Sequence, residues 1–311
     1  MPRFDVTIAG ELNLDLILYG LPEELPSERE LLADNLMLTL GSSSAIVAHN
    51  LAALGVKVGF ASCVGDDPLG HIALERLRDG GVDVSKVRMS GTTKTGLTVI
   101  LQHPNGRKIL TYPGSIFALT FDDLDLSYLA DARHFHLSSF YLQRGLRARV
   151  PELLQKLKSA GLTVSLDPND DPEDRWAGEL KEALRYVDVF LPNAREAQQI
   201  AGTNDLKSAI DTLAQMVPVV AAKRGVEGAI ARKGDQPFVS PAVQVTAMDA
   251  VGAGDSFDAG FLSQYIRGAE LPVCLAHGNL AGAFSTTRPG GTEASRDRVY
   301  QQEFFRTHSQ K

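Results

Sequence analysis

Asp249-Ala250-Val251-Gly252-Ala253-Gly254-Asp255-Ser256-Phe257-Asp258-Ala259-Gly260 is a run of small residues that feeds into a segment with helix character. Small side chains before a helix let the backbone approach a ligand closely. Free N–H groups at a helix start bind anions, and the helix dipole favours the same charge. Asp255 falls in the first turn of that helix, and an acid there has two readings. It is a partner for the helix dipole, or it is a base beside an anion nest. In the second case it takes the proton of an attacking hydroxyl while the N–H groups hold the developing charge. The residues alone leave both readings open.

Working outward, strand-like and helix-like segments alternate. Residues 6–9 read as a buried strand ended by Gly10. Residues 43–54 carry apolar side chains at helical spacing and stop at Gly55. A strand over 56–64 is followed by Asp67-Pro68, an N-cap and first helical residue, opening a helix to Gly80-Gly81. Helices are predicted over 151–159, 177–185, 194–201, 205–215, from Ala253, and over about 272–287. Strands fall at 162–166, 187–191 and 217–222, with a short strand pair in 229–246. This rhythm predicts an α/β fold, a doubly wound and mostly parallel sheet flanked by helices. Residues 12–38 and 94–116 break it. They alternate apolar and polar residues around turn signals such as Pro104-Asn105-Gly106. We read them as antiparallel strands of a small β lid inserted into one domain spanning 1–311.

Composition narrows the chemistry. With 31 Lys+Arg against 38 Asp+Glu, the net charge of −7 argues against sequence-independent binding to nucleic acid. A small anionic ligand needs only a local site. No apolar run is long enough for a transmembrane helix. The opening MPRFDVTIAG enters a strand without a signal-peptide core, which reads as a cytoplasmic protein. Cys63 and Cys274 sit in apolar or small-residue runs and read as buried free thiols. Neither a P-loop nor a dinucleotide glycine fingerprint occurs. His134-Phe135-His136 has no further ligand nearby and reads as packed histidines rather than zinc ligands. Asp167-Pro168-Asn169-Asp170-Asp171 starts like a calcium loop, but Pro172 and Gly178 stand where Gly and Glu are needed.

The 249–260 segment resembles the second signature of the ribokinase-like, phosphofructokinase-B type carbohydrate kinases, roughly D-T-x-G-A-G-D-x-F-x-x-G. Ala250 stands where Thr is usual. The family's first signature, a Gly-Gly pair leading into a helix that ends L-x-x-L-G, resembles Gly41-Ser42-Ser43 through Leu51-Ala52-Ala53-Leu54-Gly55. Further similar stretches are Gly10 with Asn13 and Asp15, Val64-Gly65-Asp66-Asp67-Pro68-Leu69-Gly70, Asn193 with Glu196, Lys223 with Gly225 and Gly228, and Thr287-Arg288-Pro289-Gly290-Gly291-Thr292. They cover nearly the whole chain in family order.

The resemblance implies roles. Asp255 becomes the catalytic base, and the N–H groups of Gly252, Ala253 and Gly254 the anion hole for the transferred phosphoryl. Asn193 and Glu196 place Mg²⁺ through water and the ATP phosphates, as suits an ion that keeps its waters. The bland alternative for that pair is a capping box. Lys223, Gly225 and Gly228 lie near the phosphates and ribose, unless Lys223 is only a solvated strand end. Asn279 faces the adenine, unless it is simply exposed. Asp249 and the Val251 carbonyl form a monovalent-cation site, for K⁺, with the 288–292 loop. On the sugar side Asn13 and Asp15 read hydroxyls, unless they merely form a turn, Gly41 lets the sugar approach the backbone, and Ser42 beside it counts among the substrate-binding residues. Lid edges with an apolar face imply a homodimer.

Departures from the family pattern bear on the acceptor. Ser42 replaces the second Gly of the pair, Ile46 replaces an Asn that often touches sugar, and Phe140 stands where ribokinases carry a sugar-contacting Glu. These argue against ribose itself. The lid stretch Leu110-Thr111-Tyr112-Pro113-Gly114-Ser115 lacks the Arg of sugar-acid kinases, and Asp171 falls where their second Arg stands. Arg107, Lys108 and Arg144 keep a phosphosugar open, with exposed loop charge as the alternative. The expected activity is phosphoryl transfer from ATP to a primary hydroxyl of a small sugar. A nucleoside or phosphosugar acceptor and a non-catalytic sugar or nucleotide sensor are the rival readings.

Overall fold

The computed structural model describes residues 2–176 and 178–308. The strands of the first half are β1 (Phe4–Ala9), β2 (Leu14–Tyr19), β3 (Asn35–Leu40), β4 (Val58–Gly65), β5 (Asp83–Ser90), β6 (Leu97–His103) and β7 (Gly106–Tyr112). Those of the second half are β8 (Ala132–Leu137), β9 (Thr163–Leu166), β10 (Val189–Phe190), β11 (Val219–Lys223), β12 (Ala229–Lys233) and β13 (Gln236–Ser240). Among the described residues, nine of them form one sheet in the order β13-β12-β11-β10-β9-β8-β1-β4-β5. All its pairings are parallel except those of the β11-β12-β13 edge. Both faces are covered, so core strands read as apolar runs. In β11, Val219 and Ala221 pack into one core layer and Val220 into the other. Each large apolar side chain buried this way contributes roughly 1.5–3 kcal/mol.

Local signals act as expected. Asp67 accepts from the Gly70 N–H at 2.9 Å with Pro68 in the first turn. Helix Ala253–Tyr265 opens at Gly252, and helix Leu271–Ser285 packs beside it. Two predictions shorten. The helix expected over 177–185 is Leu180–Ala183 plus one tight 3₁₀ turn, Leu184–Tyr186, and the expected strand 187–191 pairs only over β10. Residue 177 lies outside the described residues. Cys63 and Cys274 are buried and unbonded to each other. His134 and His136 bridge β8 to β9 through Thr163 and Ser165, at 2.7–2.8 Å. Burial holds them neutral, pushed down to about 3 and about 4.

The lid is a separate sheet in the order β3-β2-β6-β7. Pro104-Asn105 turns the β6–β7 hairpin. One expectation is corrected here: the central pair β2–β6 is parallel, not antiparallel. The reason is topological. Between those strands the chain crosses back into the main sheet through β4 and β5, which supplies the long crossover that a parallel pair needs and a tight hairpin cannot give. Among the described residues no helix is long and apolar enough to cross a membrane.

Candidate active site

β1 lies between β8 and β4, so strand order reverses at β1, and the carboxyl ends of β1 and β8 open a crevice there. Segments leaving β1, β8 and β9 converge on it with the inner face of the lid. They enclose a cavity of about 200 Å³ with Asn13, Asp15, Ser139, Asn169, Thr98 and Asp255 among its walls. A second cavity of about 310 Å³ lies beside it, lined by Gly225, Gly228, Ala253, Gly254 and Asn279. The 249–255 turn is the wall between them. Val251, Gly252 and Asp255 face the first cavity, and Ala250, Ala253 and Gly254 face the second.

Gly252 is fixed by geometry. Its φ is +71°, and a Cβ there would stand 2.5 Å from the Gly291 Cα. The turn leaves the N–H groups of Gly252, Gly254 and Asp255 without partners among the described residues, while the Ala253 N–H is directed to the Ala250 carbonyl at 3.3 Å. Of the expected Gly252, Ala253 and Gly254, the first and third are free, and Asp255 takes the place of Ala253. Asp255 is half-buried in the first helical turn. Burial and the Asp167 charge raise its carboxyl to about 6, against the pull of Lys223, Ser43 and Arg107. A base that titrates near neutrality is matched to proton abstraction.

Lys223 is not a solvated strand end. Its Nζ lies 2.8 Å from Asp167 and 3.1 Å from Asp258, both buried. Burial opposes its charge, but the carboxylates outweigh that and hold the ammonium protonated. Asp167 is likewise kept below its ordinary value by Lys223, against burial. The lysine lies beneath Gly254 and supports the nest from below. Sequence reading missed the two carboxylates. The signal for Asp258 was its place one turn after Asp255, on the same helix face.

Asn193 and Glu196 form a complete capping box. Asn193 Oδ1 accepts from the Glu196 N–H at 2.9 Å, and Glu196 accepts from the Asn193 N–H at 2.8 Å. Burial first, and Asp167 second, raise Glu196 to about 7. Among the described residues no three His, Cys, Asp or Glu side chains gather into a metal cage. Asn279 lines the larger cavity, but its Nδ2 is engaged by Ser240 and the Pro241 carbonyl. Gly225 and Gly228 have positive φ, and a Cβ on Gly228 would collide with the Ser240 carbonyl.

On the smaller cavity's side, Asn13 and Asp15 are buried and face in. Burial and then the Asp255 charge raise Asp15 to about 7. The expectation that Gly41 admits the sugar is corrected. The space a Cβ would take there is filled by the Asp15 and Asn13 side chains, so Gly41 seats those side chains. Ser42 lines the cavity and caps helix Ser43–Ala53, accepting from the Ala45 N–H at 3.1 Å. Phe140 is buried in the core, and Asp171 is occupied by the backbone N–H groups of Glu173, Arg175 and Trp176. Of the three basic residues singled out, Lys108 bonds the Glu23 carbonyl and Arg144 pairs with Glu173. Arg107 faces the cavity and has no partner among the described residues. Thr98, Ser139, Asn169 and Glu11 went unassigned in sequence, because they come from separate segments and are joined only by the fold.

The Asp249 carboxylate does not fit a cation. Its Oδ1 accepts from Gln102 Nε2 at 3.2 Å and Val251 N at 3.0 Å. Its Oδ2 accepts from the Tyr19 hydroxyl and the Gly290 N–H, both at 3.0 Å. A carboxylate offers about four lone-pair positions, and all are taken. The expected monovalent-cation site at Asp249 and Val251 is corrected on that ground.

Comparison with known proteins shows the family and the fold. An ATP-dependent ribose-1-phosphate kinase of Halopiger xanaduensis is 31% identical over 294 residues, 93% of this chain and 94% of the relative. A fructokinase of Klebsiella pneumoniae is 32% identical over 82% of this chain and 88% of its own length. A structure described as a putative ribokinase II from E. coli in complex with ATP and Mg²⁺ superposes with a TM-score of 0.87 at 24% identity, covering 98% of this chain and all of that one. The family description "pfkB family carbohydrate kinase" matches residues 4–298. The chain belongs to the pfkB family of carbohydrate kinases, phosphotransferases with an alcohol group as acceptor.

Proposed function

We propose that this kinase transfers the γ-phosphoryl of ATP to a primary hydroxyl of a small sugar. The observation that carries the reading is the 249–255 turn standing as the wall between two cavities, with the half-buried Asp255 on one side and Gly254 on the other. The sugar occupies the smaller cavity, held by Asn13, Asp15 and the neighbouring hydroxyls. ATP occupies the larger one, its adenine against the apolar side chains there and its phosphates toward the nest. Asp255 takes the proton of the attacking hydroxyl. The free N–H groups at Gly252, Gly254 and Asp255 hold the charge on the transferred group, so positioning and the anion hole lower the barrier. The lid covers the sugar and excludes water.

The donor set suits Mg²⁺, which keeps its waters and binds few protein oxygens. Glu196 and Asn193 would hold it from the outer shell, beyond the bonds of their capping box. When bound, the ion neutralises charge on the phosphate oxygens. Lid edges β3 and β7 and the exposed Leu36, Leu110 and Tyr112 support a homodimer through the lid, which light scattering giving a monomer mass would refute.

A second reading concerns the acceptor. Arg107 is a guanidinium in the sugar cavity with no protein partner, which favours an acceptor bearing an anionic group, a phosphosugar. The ribose-1-phosphate kinase relative supports it. The test is ADP release with ATP and Mg²⁺ across hexoses, pentoses, nucleosides, sugar acids and phosphosugars, with Asp255→Asn beside the wild type. We expect one strong acceptor, lost by at least ~10²-fold in the variant while ATP still binds. Retained turnover in Asp255→Asn sinks the assignment of the base. ATP binding with no acceptor at all moves the weight to a sensor.

A further inference from the structure

Tyr19 and Gln102 line neither cavity, yet both reach the Asp249 carboxylate, two residues before Val251 in the wall between the cavities. They are neighbours across the parallel β2–β6 pair, whose register runs Asp15 opposite Thr98 and Ile17 opposite Ile100. Side chains two residues apart on a strand share a face. The inner face of the lid therefore carries three successive rungs. Asp15 and Thr98 face the sugar cavity. Ile17 and Ile100 bury against Val251, with Tyr19 and Met37 packed around them. Tyr19 and Gln102 reach Asp249.

The same carboxylate holds the Val251 and Gly290 N–H groups. Val251 is the residue before Gly252, and Gly290 precedes Gly291, which packs on Gly252. One side chain thus joins the lid to both backbone segments that shape the nest. The Tyr19 hydroxyl keeps its proton to donate, since burial and the facing Asp249 carboxylate push it above its ordinary value.

We propose that Tyr19 and Gln102 close the lid onto Asp249, making Asp249 a positioning residue that couples lid closure to the anion hole, in place of a monovalent cation. The acceptor then meets a lid already biased shut. Opening that bias lowers apparent affinity in proportion to the lost closed population. The nest keeps its Val251 and Gly290 bonds when only the lid donors are removed, so the chemical step survives once the lid is shut.

The test uses the full chain with Tyr19→Phe, Gln102→Leu and the double variant. Tyr19→Phe keeps the ring that packs beside Ile17 and removes one hydroxyl, so it guards against misfolding. Amide hydrogen exchange of peptides covering β2, β6 and β7 needs no acceptor, which separates this proposal from the kinase assignment. We expect exchange there to rise about tenfold in the double variant, with β1 and β8 unchanged. Unchanged lid exchange overturns the latch. With the acceptor identified, its KM should rise about tenfold in the double variant while kcat stays within about twofold. A fall in kcat with KM unchanged overturns it. Replacing K⁺ by tetramethylammonium should leave the wild-type rate within about twofold. Strong activation by K⁺ would mean that a cation reaches Asp249, and would also overturn it.

Discussion

The two cavities are built in different ways. The larger cavity, proposed for the nucleotide, joins apolar side chains such as Val243, Val245 and Phe257 to a backbone surface on the side proposed for the phosphates, where glycines and alanines of the 225–228 and 250–254 turns expose peptide groups over the charged cluster of Lys223, Asp167 and Asp258. The smaller cavity, proposed for the sugar, is a side-chain surface, assembled from the 11–15 segment, the start of a helix at 42–46, the lid strands β2, β6 and β7 and the loops after β8 and β9. Backbone recognition suits a ligand that every family member shares. Side-chain recognition suits a ligand that varies.

The sharpest break of that contrast is Lys223→Met. If the nucleotide side depends on a buried charge cluster beneath a backbone nest, removing the one cation leaves two buried carboxylates facing each other. Breaking a buried pair from one side costs about 3–5 kcal/mol. We expect a loss of that size in urea unfolding. A loss under about 1 kcal/mol would mean that water or a rearranged partner serves Asp167 and Asp258, and that the cluster is not the floor of the nest.

The contrast also explains what was legible in the sequence. The nest was readable because its residues are contiguous and their small size is itself the chemistry. The strand and helix rhythm was readable for the same reason, being set by local periodicity. The parallel β2–β6 pairing was not, since it depends on where the chain returns after β4 and β5. The resemblance assigns Gly41 to the sugar, and only the fold shows Asp15 and Asn13 filling that space. Asp249 was assigned to a cation by resemblance, and only the lid supplied the Tyr19 and Gln102 donors that occupy it. Thr98 and Arg107 face the smaller cavity through period-two alternation in β6 and β7, a signal present in the sequence but without a reference face until the lid is in place.

A pH profile sharpens the comparison next. Asp255 must be ionised to accept a proton, and burial with the Asp167 charge sets it to about 6. Protonation below that value removes the base, so kcat/KM should rise with pH through about 6 and level off above it. Arg107 pulls that value down across the cavity. In Arg107→Gln the acid limb should therefore move to higher pH. If Arg107 also reads an anionic group, KM for a phosphosugar should rise in the same variant more than KM for its neutral counterpart. A limb that stays in place, with both KM values unchanged, would return Arg107 to solvated lid charge.

The smallest effect concerns Ser42, where the two kinds of surface meet. The residue sits at φ +65°, a conformation that glycine adopts freely and other residues at a cost of roughly 1–2 kcal/mol. That is why a second glycine fits the family pattern there. Serine gives something back. Its Oγ accepts from the Ala45 N–H and donates to the Glu11 carbonyl at 2.7 Å. Ser42→Ala keeps the strain and loses the cap, so it should destabilise by about 1 kcal/mol. Ser42→Gly relieves the strain but loses the cap and loosens the unfolded chain, so it should fall within about 0.5 kcal/mol of the wild type. The order of the two variants in thermal unfolding is the test of the backbone argument, and alanine matching glycine would refute it. The acceptor KM tests the other side. With its proton engaged by Glu11 and one lone pair by Ala45, the hydroxyl has little left for a sugar. Ser42→Gly should then leave KM within about twofold, whereas a tenfold rise would make Ser42 a true sugar ligand.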